Sequence, residues 1–155
     1  ITSFMMALTT FVSQNRGAKE YERARKGAHF GLVCSVSLAE TIGLLIALFA
    51  TPLMRLFVDD PQVIQYGVER AHYATILFFL LAYSHGVSAV LRGVGKSVVP
   101  MVVMLVCWCL VRVTLLTMLN MLFHNILFVY LIYPFTWSLS SIVFFLYYRK
   151  INWQE

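Results

Sequence analysis

The chain has 155 residues, 60% of them hydrophobic and only 12% charged, with a mean hydropathy of +0.77. A water-soluble chain carries about twice that charged fraction, so a soluble domain is excluded and an all-α integral membrane protein is left. The net charge of +5 and pI near 9.3 do not make a nucleic-acid surface, because the basic residues follow the breaks between apolar stretches and not one face of a folded domain.

Five apolar stretches follow in order, at about 1–13, 28–50, 63–91, 98–120 and 123–148. A membrane-spanning helix needs about 20 apolar residues, so the last four qualify and the first does not. Ile1 reads as the middle of a helix that begins upstream, with no initiator Met or basic leader before it. The expectation is a fragment or truncated gene product. The first break, "QNRGAKEYERARKG", holds Arg16, Lys19, Arg23, Arg25 and Lys26 with Glu20 and Glu22. It reads either as a short amphipathic surface helix touching anionic lipid or as a solvated loop.

The second break sets Arg55 against Asp59 and Asp60 between Pro52 and Pro61, where a missing N–H costs least. In the third, Gly93 and Gly95 permit a tight turn beside Arg92 and Lys96, and Pro100 falls in the first turn of the next helix. The fourth, around His124, has no Lys or Arg, and the tail adds Arg149 and Lys150. Nine of the 12 Lys and Arg residues therefore sit in the first break, the third break and the tail. The positive-inside rule predicts that loops 14–27 and 92–97 and the C-terminus are cytoplasmic.

Charged groups inside the hydrocarbon cost at least about 2.5 kcal/mol each, so every one needs a reason. Glu40 and Arg112 lie at similar depths, roughly 18 and 21 Å along helices that start on the same side, and an ion pair between them would answer both costs. Glu40 is either a helix-locking carboxyl or a proton- or cation-handling group. Glu69 and His72, three apart on the third span near Arg70 and Tyr73, share a helix face, and a protonatable pair is allowed there. His85 either lines a cavity or contacts a neighbouring helix. Tyr83, Tyr133 and Trp137 are candidate cavity-lining aromatics, with Met101, Met104, Met118 and Met121 suited to the same role. Pro134, inside the last span, predicts a kink, static or hinged, with Thr136 or Ser138 helping to satisfy the freed backbone.

Cys34, Cys107 and Cys109 read as packing residues, since positions two apart on a helix point about 200° from each other and cannot chelate one metal. No catalytic or metal motif emerges, and "GVGKS" at Gly93–Ser97 lacks the phosphate-loop spacing. No enzyme activity and no cofactor are expected.

Several segments together resemble the multidrug and toxic compound extrusion (MATE) transporters. "FVSQNRGAKEYERARKG" from Phe11 to Gly27 is similar to the family's helix end and basic loop, and Asp60 precedes Val63 and Ile64 at the family's outer spacing. "LRGVGKSVVPM" from Leu91 to Met101 resembles its glycine turn, and "YPFTW…YYRKINW" resembles the close of its second lobe. The resemblance implies a fold of two six-helix lobes. Residues 1–155 would then form one partial C-terminal lobe, from late helix eight through helix twelve, with the N-terminal lobe absent.

It further implies export of small organic or cationic compounds in exchange for Na+ or H+, by rocking of the lobes in the plasma or inner membrane. The partners implied are membrane lipid, the missing lobe and the substrate; half a cavity is not expected to transport alone. The alternatives are a flippase for lipid-linked precursors, which needs a cationic cavity where Arg112 is the one deep arginine in sequence, and a non-transporting membrane subunit. An intramembrane enzyme would need Glu40 within reach of a His or Ser.

Overall fold

The computed structural model describes residues 2–123 and 126–153. Helices α1 (Thr2–Gly17), α2 (Tyr21–Leu48), α3 (Ala50–Arg55), α4 (Pro61–Thr75), α5 (Phe78–Gly93) and α6 (Val98–Met104) are followed by a π-helical segment (Leu105–Val111), α7 (Arg112–Phe123) and α8 (Ile126–Arg149). No strand occurs among the described residues. Three helical runs, Tyr21–Leu48, Val98–Leu122 and Val129–Arg149, are long and apolar enough to cross a bilayer, and α4 with α5 makes a fourth as a bent pair. The expected all-α membrane bundle is therefore present. Ile1 and the break around His124 lie outside the described residues.

Helix α5 forms the centre of the bundle, packed against α1, α2 and α8. Met5, Leu8 and Val12 from α1, Leu32 from α2, Val87, Val90 and Leu91 from α5, and Phe144 from α8 share one buried cluster. Lipid tails are as apolar as leucine, so helix association rests on close approach and interhelical hydrogen bonds. Both are present. A Cβ on Gly93 would stand 2.9 Å from the Thr9 carbonyl oxygen and 2.8 Å from Val12 Cβ, so glycine is what lets α1 lie on α5. Thr9 Oγ1 donates to the Ala89 carbonyl at 3.1 Å across the same crossing.

Four expectations are corrected by the helix geometry. First, the basic break holds no separate surface helix. Lys19 turns the chain with a positive φ of 61°, and α2 starts at Tyr21, so Glu22–Lys26 form the opening turns of the span itself. The segment is rich in good helix formers, Ala24 and Ala28 are fully buried, and Lys26 pairs with Glu22 at 2.7 Å on the exposed side.

Second, the third span is broken: α4 and α5 meet at 56°. Leu77 departs from helical dihedrals at φ −119°, ψ 16°, just after Thr75 turns its hydroxyl to the Ala71 carbonyl at 2.8 Å and toward the Gly43 carbonyl at 3.3 Å. Gly43 leaves room for this corner, since a Cβ there would already touch Phe78 Cδ1 at 3.4 Å.

Third, the fourth span carries a π-helical stretch at Leu105–Val111; no residue type in it announces the change. Fourth, the hydroxyls near Pro134, inside the continuous α8, do not serve the carbonyl of Tyr130. Thr136 Oγ1 donates to Tyr133 O at 3.0 Å and Ser138 Oγ to Pro134 O at 2.9 Å, each the ordinary three- or four-residue back-bond of a membrane helix. The cysteines also divide: Cys107 is buried and Cys34 half-buried, but Cys109 is exposed and packs no core of this chain.

Candidate intramembrane polar site

Glu40 sits on α2, one turn before the Gly43 seat of the broken span. It is half-buried, and its Oε2 is a buried oxygen with no hydrogen-bond partner among the described residues. An unpaired buried carboxyl oxygen costs about 1–3 kcal/mol, which singles this atom out among the polar groups of α2.

The expected ion pair with Arg112 does not form. Helix α2 packs on α1, α3, α4 and α5, whereas the π segment and α7 pack on α8. With α5 and α8 between them, the two charges are kept apart whatever their depth. Depth along the normal is legible from sequence; position around the bundle is not.

Arg112 is answered otherwise. Its Nη2 and Nε donate to Thr136 Oγ1 at 2.7 and 3.3 Å, and the Thr136 proton is directed to Tyr133 O. The guanidinium lies over the rings of Tyr133 and Trp108, 4.7 and 5.4 Å from their centroids, contacts worth about 0.5–2 kcal/mol each. From α4, Arg70 lies over the same Tyr133 ring at 5.3 Å. The two guanidinium carbons are thus within about 10 Å of each other, a repulsion of about 1.7 kcal/mol at an effective dielectric of 20. The one ion pair among the described residues joins Lys26 to Glu22, so neither arginine has a carboxylate there.

The aromatic setting continues around this pair. Tyr133 meets Trp137 edge to face at 6.4 Å, Trp137 meets Phe78 at 6.2 Å, and Tyr73 stacks on Tyr130 at 6.2 Å. Tyr133 and Trp137 therefore share one wall with Arg112, but Tyr83, the third proposed lining aromatic, does not. It borders a separate apolar groove of about 460 Å³ with Val36, Leu80, Ser138, Ile142 and Phe145.

The Glu69–His72 pair is not formed either. Glu69 accepts from Gln65 Nε2 at 3.0 Å, one turn toward the start of α4, while His72 is exposed. Glu69 borders an open cleft with Thr51, Arg55 and Asp59. The His85 ring meets Trp108 edge to face at 5.1 Å and borders a cleft of about 380 Å³ with Met5, Thr9 and Arg92 between α1 and α5.

Sequence reasoning missed a hydroxyl cluster at the crossing of α5 and α8. Ser84 Oγ lies 3.0 Å from Ser140 Oγ and 2.8 Å from Ser141 Oγ, Ser141 Oγ donates to Leu80 O at 2.9 Å, and Trp108 Nε1 donates to Ser140 Oγ at 3.3 Å. All three serines are buried. The available signal was small polar residues in apolar spans, which mark helix interfaces.

Membrane-length helices joined by buried hydroxyls, one of the spans broken, with an unpartnered carboxyl oxygen inside the bundle, define a polytopic membrane protein of the kind whose polar groups face inward. The MatE family model matches residues 1–118, and the chain belongs to that family. It is 31% identical over 98 residues to the probable multidrug resistance protein NorM of Thermotoga maritima, covering 63% of this chain and 21% of that protein. With the protein of the same name from Chromobacterium violaceum it shares 29% over 101 residues, 65% of this chain and 22% of that one. The chain spans about a fifth of the length of these curated relatives.

Proposed function

We propose that this chain forms part of the second lobe of a secondary efflux transporter in the cell membrane, one that exports organic compounds in exchange for H+ or Na+. The observation that carries the reading is Glu40, whose Oε2 is buried without a partner one helical turn from Gly43, the residue that meets the corner of the broken span. Broken helices and intramembrane carboxylates are where secondary transporters hold their coupling ions. Membership in the MatE family and relatives named multidrug resistance proteins support the same class of activity.

In this mechanism, binding of a proton or Na+ at Glu40 removes the cost of the unpaired charge and stabilises one packing of the α4–α5 corner on α2. Release of the ion restores the cost and favours the other. The Thr75 bond to the Gly43 carbonyl, long at 3.3 Å, is the contact such a shift would exchange first. Pro134 gives α8 a place to bend as the lobes rock. The basic breaks orient the bundle with Arg16–Lys26, Arg92–Lys96 and the C-terminal tail on the cytoplasmic side, which leaves Glu69 and His72 near the outer mouth.

The test is ethidium efflux from vesicles containing the full-length protein that carries this lobe, with an imposed proton or sodium gradient. Gradient-driven efflux that Glu40→Gln abolishes, at normal expression and insertion, is the expected result. Undiminished efflux in Glu40→Gln would remove Glu40 from the coupling mechanism, and no efflux from inserted wild-type protein would remove the transporter reading.

A further inference from the structure

The wall built by Arg70, Arg112, Tyr133 and Trp137 has a charge sense opposite to that of a cation site, and we infer that it binds the anionic group of an organic ligand with an aromatic body. Two cations lie over a single tyrosine ring, 5.3 and 4.7 Å from its centroid. Each acidic group that could neutralise them is engaged or distant among the described residues. Glu69 accepts from Gln65, Asp60 caps the start of α4 through Gln62 N at 2.8 Å, Asp59 borders the cleft with Arg55 and Glu69, and Glu40, on a helix that packs against α4 but not against the π segment or α7, forms no ion pair with either arginine.

The donor inventory is unbalanced in the same direction. A guanidinium has five N–H donors, and Thr136 Oγ1 takes two from Arg112. The tyrosine and tryptophan faces attract the charge but accept no ordinary hydrogen bond. Three N–H groups of Arg112 and all five of Arg70 bond to no described residue, and with Arg70 exposed and Arg112 half-buried they are open to water or to a ligand. A carboxylate accepts two parallel N–H bonds from one guanidinium and has lone pairs left for a second, so one such group answers both arginines.

The neighbouring surface fits the rest of the ligand. Tyr133 and Trp137 are held edge to face, and the Arg112 guanidinium also lies over Trp108, so aromatic surface for a flat ligand body adjoins the charge. The π segment contributes to this placement, since it carries Trp108 and ends directly at Arg112. Such turns often mark functional positions in helices.

This inference deepens the exporter reading and rests on it for calling the ligand a substrate, but the binding itself needs no gradient. The experiment is tryptophan-fluorescence titration of the full-length protein in phosphatidylcholine nanodiscs with 2-naphthoate and its uncharged analogue 2-naphthamide. Naphthoate should bind at least about tenfold tighter than naphthamide. Arg112→Gln and Arg70→Gln should each weaken naphthoate by about tenfold or more, the loss of a charge-assisted bond, without moving naphthamide; Arg112→Lys should fall between. Arg70 is exposed and makes no described hydrogen bond, so its variant tests the site without risk to the fold.

Equal affinity for the two probes, unchanged naphthoate affinity in both Gln variants, or a loss confined to one arginine would overturn the paired anion site. Naphthoate binding that persists in a protein without ethidium efflux would leave the site standing and defeat the transport reading. Efflux without naphthoate binding would do the reverse.

Discussion

At the scale of single residues, partners matter more than depth. Glu40 and Arg112 both lie inside apolar spans, yet only Arg112 finds a hydrogen-bond partner, Thr136. Two double-mutant cycles separate contact from coincidence. Arg112→Met combined with Thr136→Val should show a coupling of about 1–2 kcal/mol in thermal unfolding, because each single change strands or removes a charged donor's acceptor. Arg112→Met combined with Glu40→Gln should be additive to within about 0.5 kcal/mol, the behaviour of independent sites; a larger coupling would contradict the separation of α2 from α7. Ser84→Ala should cost roughly 1 kcal/mol, the usual scale for a hydroxyl bond between membrane helices, and an unchanged unfolding midpoint would show the serine cluster to be energetically idle.

At the scale of elements, the informative positions are those where backbones touch. Gly93→Ala puts a methyl group against the Thr9 carbonyl and Val12, a backbone contact that cannot rotate away, and should destabilise by about 1–3 kcal/mol as α1 is pushed from α5. Gly17→Ala meets nothing within 4 Å and should be neutral or mildly stabilising. Equal midpoints for the two variants would refute close packing at the first crossing. Breaks within spans follow the same logic. A run of apolar residues from 63 to 91 reads as one helix because hydropathy reports burial and not direction, whereas the corner at Ile76–Leu77 depends on Thr75 meeting Gly43 thirty-two residues away.

At the scale of the whole molecule, the proposed orientation of the bundle rests on the arrangement of charge. In a cysteine-less background, a cysteine placed at Lys19 should react with a membrane-impermeant maleimide only after the cytoplasmic face is opened, and one at Asp59 should react in intact cells. Labelling in the reverse order would invert the topology drawn from the positive-inside rule. The large exposed apolar residues of α2 and α7, among them Leu44, Leu45, Leu48, Val113 and Met118, fit a surface that meets lipid tails or a facing lobe, where exposure carries no hydrophobic cost.

Composition and hydropathy alone determined that the chain crosses a membrane as helices. They also marked, to within a few residues, where most of those helices begin and end, since bilayer thickness and the cost of unpaired backbone act on every residue in the same way. The intramembrane Glu40 and Arg112 stood out for the same reason. Only the tertiary structure decided which polar groups meet. Arg112 turned to Thr136 and Tyr133, Glu40 was left without a partner, and Arg70, unremarkable as one charge in the third span, joined Arg112 over one ring. These outcomes depend on the rotation of each helix about its axis and on which helices are neighbours. Both are set by small-residue contacts such as Gly93 on Thr9 and Gly43 beside Phe78, whose partners lie far away in the chain.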